Sequence, residues 1–118
     1  MDRRYRLSSS ADFQRVRRMG KVYAHPLVIL ITCPNGLDVS RFGVTAGRRV
    51  GGAVDRNRAK RLLREAVRPY VTRTHPGWDI VLIARSGLLT AAWASLAQAV
   101  SGLLVRTGCL VNSNDNFD

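Results

Sequence analysis

With 118 residues, 46% of them apolar and 23% charged, the chain has the length of one domain and the composition of a globular protein rather than a disordered tail. Its 19 Lys and Arg residues outnumber 8 Asp and Glu, and a net charge of +11 points to a polyanionic partner, either a nucleic acid or an anionic membrane surface. Cys33 and Cys109 form no metal or redox spacing, and no apolar run follows the charged N-terminus, so buried thiols, a cytoplasmic setting and no secretory signal are expected.

A first helix is expected from about Ser10 to Arg18. Ser9 or Ser10 can cap its free amides, Asp12 suits the positive end of its dipole, and Arg15, Arg17 and Arg18 suit the negative end. Phe13 and Val16 are spaced to face the core together, and Gly20 stops the helix. Leu27 to Cys33 is β-branched and almost wholly apolar, which suits an interior strand, with Pro26 at its start or edge. Pro34-Asn35-Gly36 signals a turn. Arg41 to Ala46 then alternates, with Phe42, Val44 and Ala46 inward, so the two runs read as an antiparallel pair joined by a loop.

The stretch from Gly51 to Arg68 reads as one helix with two unlike faces. At about 100° per residue, Ala59, Leu62, Leu63, Ala66, Val67 and Tyr70 share one arc. Asn57, Lys60, Arg61, Arg64 and Arg68 share the opposite arc, with Arg58 and Glu65 at its border and Arg56 near the apolar edge. Like charges at i,i+4 cost a few tenths of a kcal/mol per pair, so an external anion should neutralise them. A merely solvated face normally mixes signs, whereas Asp55 and Glu65 are the only acids here. The arginine fork also matches a phosphate better than an ammonium does. The approach, Gly47-Arg48-Arg49-Val50-Gly51-Gly52, is either a plain turn that needs glycine torsions or an anion site at a helix N-terminus; Arg48 and Arg49 favour a role shared with the helix.

Pro69 and the segment Thr72 to Gly77 break the pattern, and Trp78 to Ala84 is a second continuous apolar run, expected to lie centrally with both faces covered. Ser86 to Val105 carries no charge. Within it Leu89, Trp93, Leu96, Val100, Leu103 and Leu104 share a face from which Thr90, Gln98 and Ser101 fall away, so a last helix, about Leu89 to Arg106, should lie on the core rather than in lipid. Residues 1–111 are expected to form a single domain and the polar tail 112–118 to be mobile. The order is helix, strands, basic helix, strand, helix, an α+β sandwich of a small sheet and helices.

No catalytic constellation is expected. His25 and His75 each precede a proline, with no nucleophile or carboxylate placed beside them by a motif, and the acids are scattered singly. The chain is equipped to hold a polyanion and has little with which to cut one.

The run Gly51 to Glu65, with its Arg56-Asn57-Arg58-x-Lys60-Arg61 core, resembles the signature of the bacterial ribonuclease P protein subunit. Phe13 followed by Val16 and Gly20, Arg41-Phe42-Gly43-Val44 ahead of a basic pair, and Gly77-x-Asp79 before an apolar run ending in Ala84-Arg85 resemble other parts of that family in the right order, covering roughly Arg6 to Val105. The resemblance implies a small two-layer α/β sandwich of order αβββαβα, with a mixed four-stranded sheet and a left-handed βαβ crossover around the basic helix. It implies a subunit of an endoribonuclease that joins a catalytic RNA, one protein per RNA, and with Mg²⁺ held mainly by that RNA removes the 5′ leader of precursor tRNA, leaving a 5′-phosphate. The protein would supply no catalytic residue and bind no metal directly.

By the same resemblance Arg56, Asn57, Arg58, Lys60, Arg61 and Arg64 are expected to contact RNA or organise metal ions near it; Arg68, on the same cationic arc, and Arg48 and Arg49, at the approach to the helix, are expected to join them in binding RNA. Phe13, with Arg15 and Arg17, is expected to line a cleft for the single-stranded leader. The sequence departs from the family pattern at Arg17, where a second aromatic is common, at Gly52, where Asn is usual, and near Ile31, where an aromatic is often seen. Leader binding would then lean on charge and arginine stacking. A ribosomal RNA-binding component explains the charge but not the ordered motifs. A DNA-binding helix is disfavoured because Asn57 alone could read bases, and no membrane partner is expected.

Overall fold

The structure is a computed structural model that describes residues 2–111. The mobility expected of the 112–118 tail lies outside the described residues. Four strands form one sheet: β1 (Lys21–Ala24), β2 (Val28–Pro34), β3 (Arg41–Ala46) and β4 (Trp78–Ala84), in the order β1-β2-β4-β3. The first two neighbouring pairs are antiparallel and β3 runs parallel to β4, so the sheet is mixed.

Three helices cover it: α1 (Ser10–Met19), α2 (Ala53–Val67) and α3 (Trp93–Thr107). The Ser9 hydroxyl accepts the Asp12 amide at 3.5 Å to cap α1, and the Gly20 amide returns to the Val16 carbonyl at 2.8 Å to close it. α2 forms the crossover between β3 and β4. Its Ala59, Leu63, Ala66 and Val67 are buried against Phe42, Ile80 and Leu82 of the sheet and against Leu96, Val100 and Leu104 of α3.

One expectation needs correcting. The Leu27–Cys33 and Arg41–Ala46 runs do not pair; they point in opposite directions, but β4 lies between them. The reason is apolar content. β4 is buried along almost its whole length, so it takes the interior position with a partner on each edge, while β3 carries polar residues on its outer-facing positions and stands at the rim. β1 has no counterpart in the residue-by-residue reading because only Tyr23 of its four residues is buried, too little for a period to show.

Alternation along β2 and β4 divides the interior in two. Leu30, Ile80 and Leu82 face α2 and α3 in the larger core; Ile31, Cys33 and Val81 face the other way, onto Val16 of α1 and Leu7. The helix-on-sheet sandwich is therefore extended by α1 as a partial third layer, and β4 is covered on both faces. Trp93, expected on the core face, is 50% exposed, because the helix begins at that residue and its first turn overhangs the core that Leu96 enters. Both cysteines are buried and free. Among the described residues no helix is long and apolar enough to cross a membrane.

Candidate nucleic-acid interface

The opposite faces of α2 separate as its periodicity predicts. Asn57, Arg58, Arg61 and Arg64 are exposed, and Lys60 and Arg56 are half-buried at the boundary. Among the described residues the only carboxylate ion-paired with a cation of this helix and its C-cap is Glu65, which meets Arg68 at 2.6 Å. Arg56, Arg58, Lys60, Arg61 and Arg64 have no carboxylate within salt-bridge distance among those residues, so their mutual repulsion is left to something outside them. The Arg56 Nε is enclosed and has no hydrogen-bond acceptor.

A trough runs beside this helix, walled by α1 on one side and β3 on the other. Its middle is a recess of about 410 Å³ where Phe13, Gln14 and Arg17 of α1 face Val44 and Thr45 of β3 and Lys60 of α2. Across the Phe13 ring lies a smaller recess of about 220 Å³, bordered by Arg6, Ser8, Gly43, Lys60 and Arg64. Beyond Arg17 the trough opens into a third recess of about 370 Å³, lined by Arg48, Arg49, Arg85 and Ser86. On the outer side of α2, Asn57, Lys60, Arg61 and Arg64 surround an open groove of about 460 Å³. No acidic side chain lines any of them.

Phe13 reaches its position because Gly43 has no side chain: a Cβ there would stand 2.5 Å from the Phe13 Cζ. At the other end Gly51 has φ 145°, a conformation that disfavours any side chain, and the Asp55 carboxylate folds back over it. Asp55 thus occupies the start of α2, where Gly52 caps without a side chain. This favours the plain-turn reading of the glycine run, with Arg48 and Arg49 turned to the trough.

Several expected site residues therefore converge. Phe13, Arg17, Lys60 and Arg64 share the trough with Arg48 and Arg49, and Asn57 and Arg61 face outward beside them. Arg58 is exposed on α2 outside these recesses, and Arg68 is held by Glu65. Arg15, expected in the cleft, is engaged elsewhere. Its guanidinium pairs with the fully buried Asp79, lies 3.6 Å from Asp12 and donates to the Cys33 Sγ at 3.3 Å. Arg6 and Arg85 also line the trough, though the sequence does not mark them as site residues. Arg85 directly follows the apolar run that forms β4, the one local signal that marks it as leaving the sheet end; Arg6 has no local signal.

Burial by itself would raise the Asp79 pKa. Hydrogen bonds from Arg41 and Asn35, the Arg41 charge and the bond from Arg15 outweigh it, holding the carboxyl below the usual carboxylate range. Arg41 is correspondingly raised, chiefly by its hydrogen bond to Asp79. Burial pushes the Cys109 thiol up, away from reactivity. His25 Nδ1 accepts the Leu27 amide at 3.0 Å and the His75 backbone bridges Ser40 and Cys109, so each serves a turn. Among the described residues no three His, Cys, Asp or Glu side chains cluster as a metal site. What the trough can do is hold an extended polyanion along its cations and stack a base on Phe13.

A family model described as Ribonuclease P matches residues 1–108. The chain is 45% identical over 104 residues to the ribonuclease P protein component of Herpetosiphon aurantiacus, covering 88% of this chain and 85% of that protein. Among solved structures it resembles the Staphylococcus aureus RNase P protein, with a TM-score of 0.79 at 28% identity over 90% of this chain and 97% of the other. The RNase P protein of Thermotoga maritima gives a TM-score of 0.75 at 30% identity, over 86% and 96%.

Proposed function

The chain belongs to the ribonuclease P protein family, and from that premise we propose that it binds the catalytic RNA of the holoenzyme and the 5′ leader of precursor tRNA, promoting endonucleolytic removal of the leader. The observation that carries this reading is the acid-free trough, in which Phe13 stands between two recesses joined by Lys60. A single strand laid along it would meet arginines for its phosphates and a ring for a base, which suits an unpaired leader better than a duplex. The outward groove on α2, with Asn57, Arg61 and Arg64, is the surface for the RNA subunit.

The work of the protein is positioning and electrostatics. Mg²⁺ belongs to this reading as an ion of the RNA. Among the described residues, the carboxylates nearest the trough and the basic helix's end do not fit it, since Asp12 and Asp79 are held by arginines and Glu65 by Arg68, and the trough itself is cationic. Fixed cations beside the RNA lower the Mg²⁺ concentration that folding and cleavage require. The test is reconstitution: the purified chain should strongly stimulate leader removal by a bacterial ribonuclease P RNA at low Mg²⁺ and do nothing without that RNA. Absence of stimulation, or cleavage by the protein alone, defeats the proposal.

A further inference from the structure

Beside the trough lies a charge network, centred on one buried carboxylate, whose members line none of its recesses. Asp79, the second residue of β4, is fully buried, and both its oxygens are occupied. Arg41 donates through Nε at 2.9 Å and Nη2 at 2.8 Å, Asn35 donates through Nδ2 at 3.0 Å, and Arg15 donates through Nη2. Asp12 adds a second carboxylate, 3.6 Å from Arg15 and 3.5 Å from Arg41. The three donors come from three elements: Arg15 from α1, Arg41 from the first position of β3, Asn35 from the turn after β2.

Apolar contact alone anchors α1 weakly. Of its ten residues only Val16 is fully buried, and a helix of that length has little stability of its own. Val16 and the half-buried Phe13 ring over Gly43 hold one line of the helix; about that line α1 could still rock over the sheet, and Arg17 and the trough's wall would rock with it. The Arg15–Asp79 pair supplies a second point of attachment, and Arg41 ties the same carboxylate to the facing wall.

We propose that Asp79 is a positioning residue: by clamping α1 to β3 through Arg15 and Arg41 it sets the width of the recess beside Phe13, and so the affinity for the leader, without touching RNA. The inference rests on the reading of the trough as the leader site. A buried carboxylate with both oxygens occupied by two guanidiniums and an amide is a stiff joint, because moving its partners apart exposes a buried charge to weaker compensation.

The experiment uses the holoenzyme reconstituted from the full chain and the RNA subunit, and compares Kd for precursor tRNA bearing a short leader with Kd for mature tRNA. D79N and, separately, R15M should lose about tenfold of the leader-dependent gain, the worth of one base stacked on a ring. Affinity for the RNA subunit should be unchanged, and the D79N/R15M double variant should be no worse than either single one, since both break one clamp. R15M keeps the test intact should D79N fail to fold. Its side chain is 29% exposed, and its removal leaves Asp79 bound by Arg41 and Asn35. Equal losses for both tRNAs and for the RNA subunit would show a purely structural residue and overturn the inference. So would an undiminished leader preference in the variants. A wild-type protein with no leader preference would overturn the trough reading itself, and this inference with it.

Discussion

Replacing Gly43 by alanine tests whether the position of Phe13 is set by the strand beneath it. The new Cβ would lie 2.5 Å from Cζ and 2.9 Å from Cε1 of Phe13, and 3.2 Å from the Leu7 Cβ. Carbon atoms in contact prefer about 3.5–4.0 Å, so the ring must retreat by roughly 1 Å, and Leu7 blocks one direction. Overpacking of this kind costs about 1–3 kcal/mol; because Phe13 borders open recesses and can swing outward, about 1–2 kcal/mol is expected. For a domain of this size that corresponds to a loss of roughly 4–8 °C in Tm, measurable by circular dichroism. The decisive comparison is made in an F13A background, where the added methyl meets space instead of a ring. There G43A should be nearly neutral, giving a coupling of about 1 kcal/mol or more between the two sites. Equal Tm losses in both backgrounds, or none in either, would refute the claim that Gly43 seats the ring.

R61A and R64A should each reduce the salt slope of RNA-subunit binding by about 0.7–0.9 while leaving stability within about 0.5 kcal/mol, because both side chains are exposed and neither has a protein carboxylate among the described residues; unchanged slopes would return them to a solvated face. R68A should change the slope less, since Glu65 already neutralises that charge. The folded-state pKa of Asp79 is depressed, so its contribution to stability is full above about pH 4, its unfolded value, and is lost as pH falls through the folded value. Urea midpoints of wild type and D79N should therefore differ most above about pH 4 and converge in more acid solution, and a constant gap would contradict the assignment. G20A should be the most damaging of the glycine changes. Its Cβ would stand 2.5 Å from the Val16 carbonyl oxygen and 2.8 Å from that of Thr32, both backbone atoms that cannot step aside, so a loss of about 3 kcal/mol by chemical denaturation is expected.

Much of the molecule can be read locally. The basic helix shows its two faces because a 3.6-residue period sorts Ala59, Leu63, Ala66 and Val67 from Arg61 and Arg64, whatever packs on either side. The caps at Ser9 and Gly20 and the buried runs of β2 and β4 follow from side-chain chemistry within a few residues. Strand partners do not. Two apolar runs separated by Pro34-Asn35-Gly36 look like a hairpin, yet the sheet closes by inserting β4 between them, and a short edge strand with one buried tyrosine leaves no periodic trace.

Charge and period along the chain thus determined that this protein carries a two-faced cationic helix on an apolar α+β core, since both depend only on which residues recur at which spacing. The tertiary structure decided where each of two neighbouring cations goes. Arg15 and Arg17 stand two positions apart on one helix and are chemically identical, but about 200° of rotation separates them. One is turned onto a buried carboxylate brought from the far end of the sequence, and the other into the trough. Asp79 reads in sequence as one polar interruption in an apolar strand. It becomes a clamp only when folding brings Arg15, Asn35 and Arg41 around it, a meeting over sequence separations that no local pattern encodes.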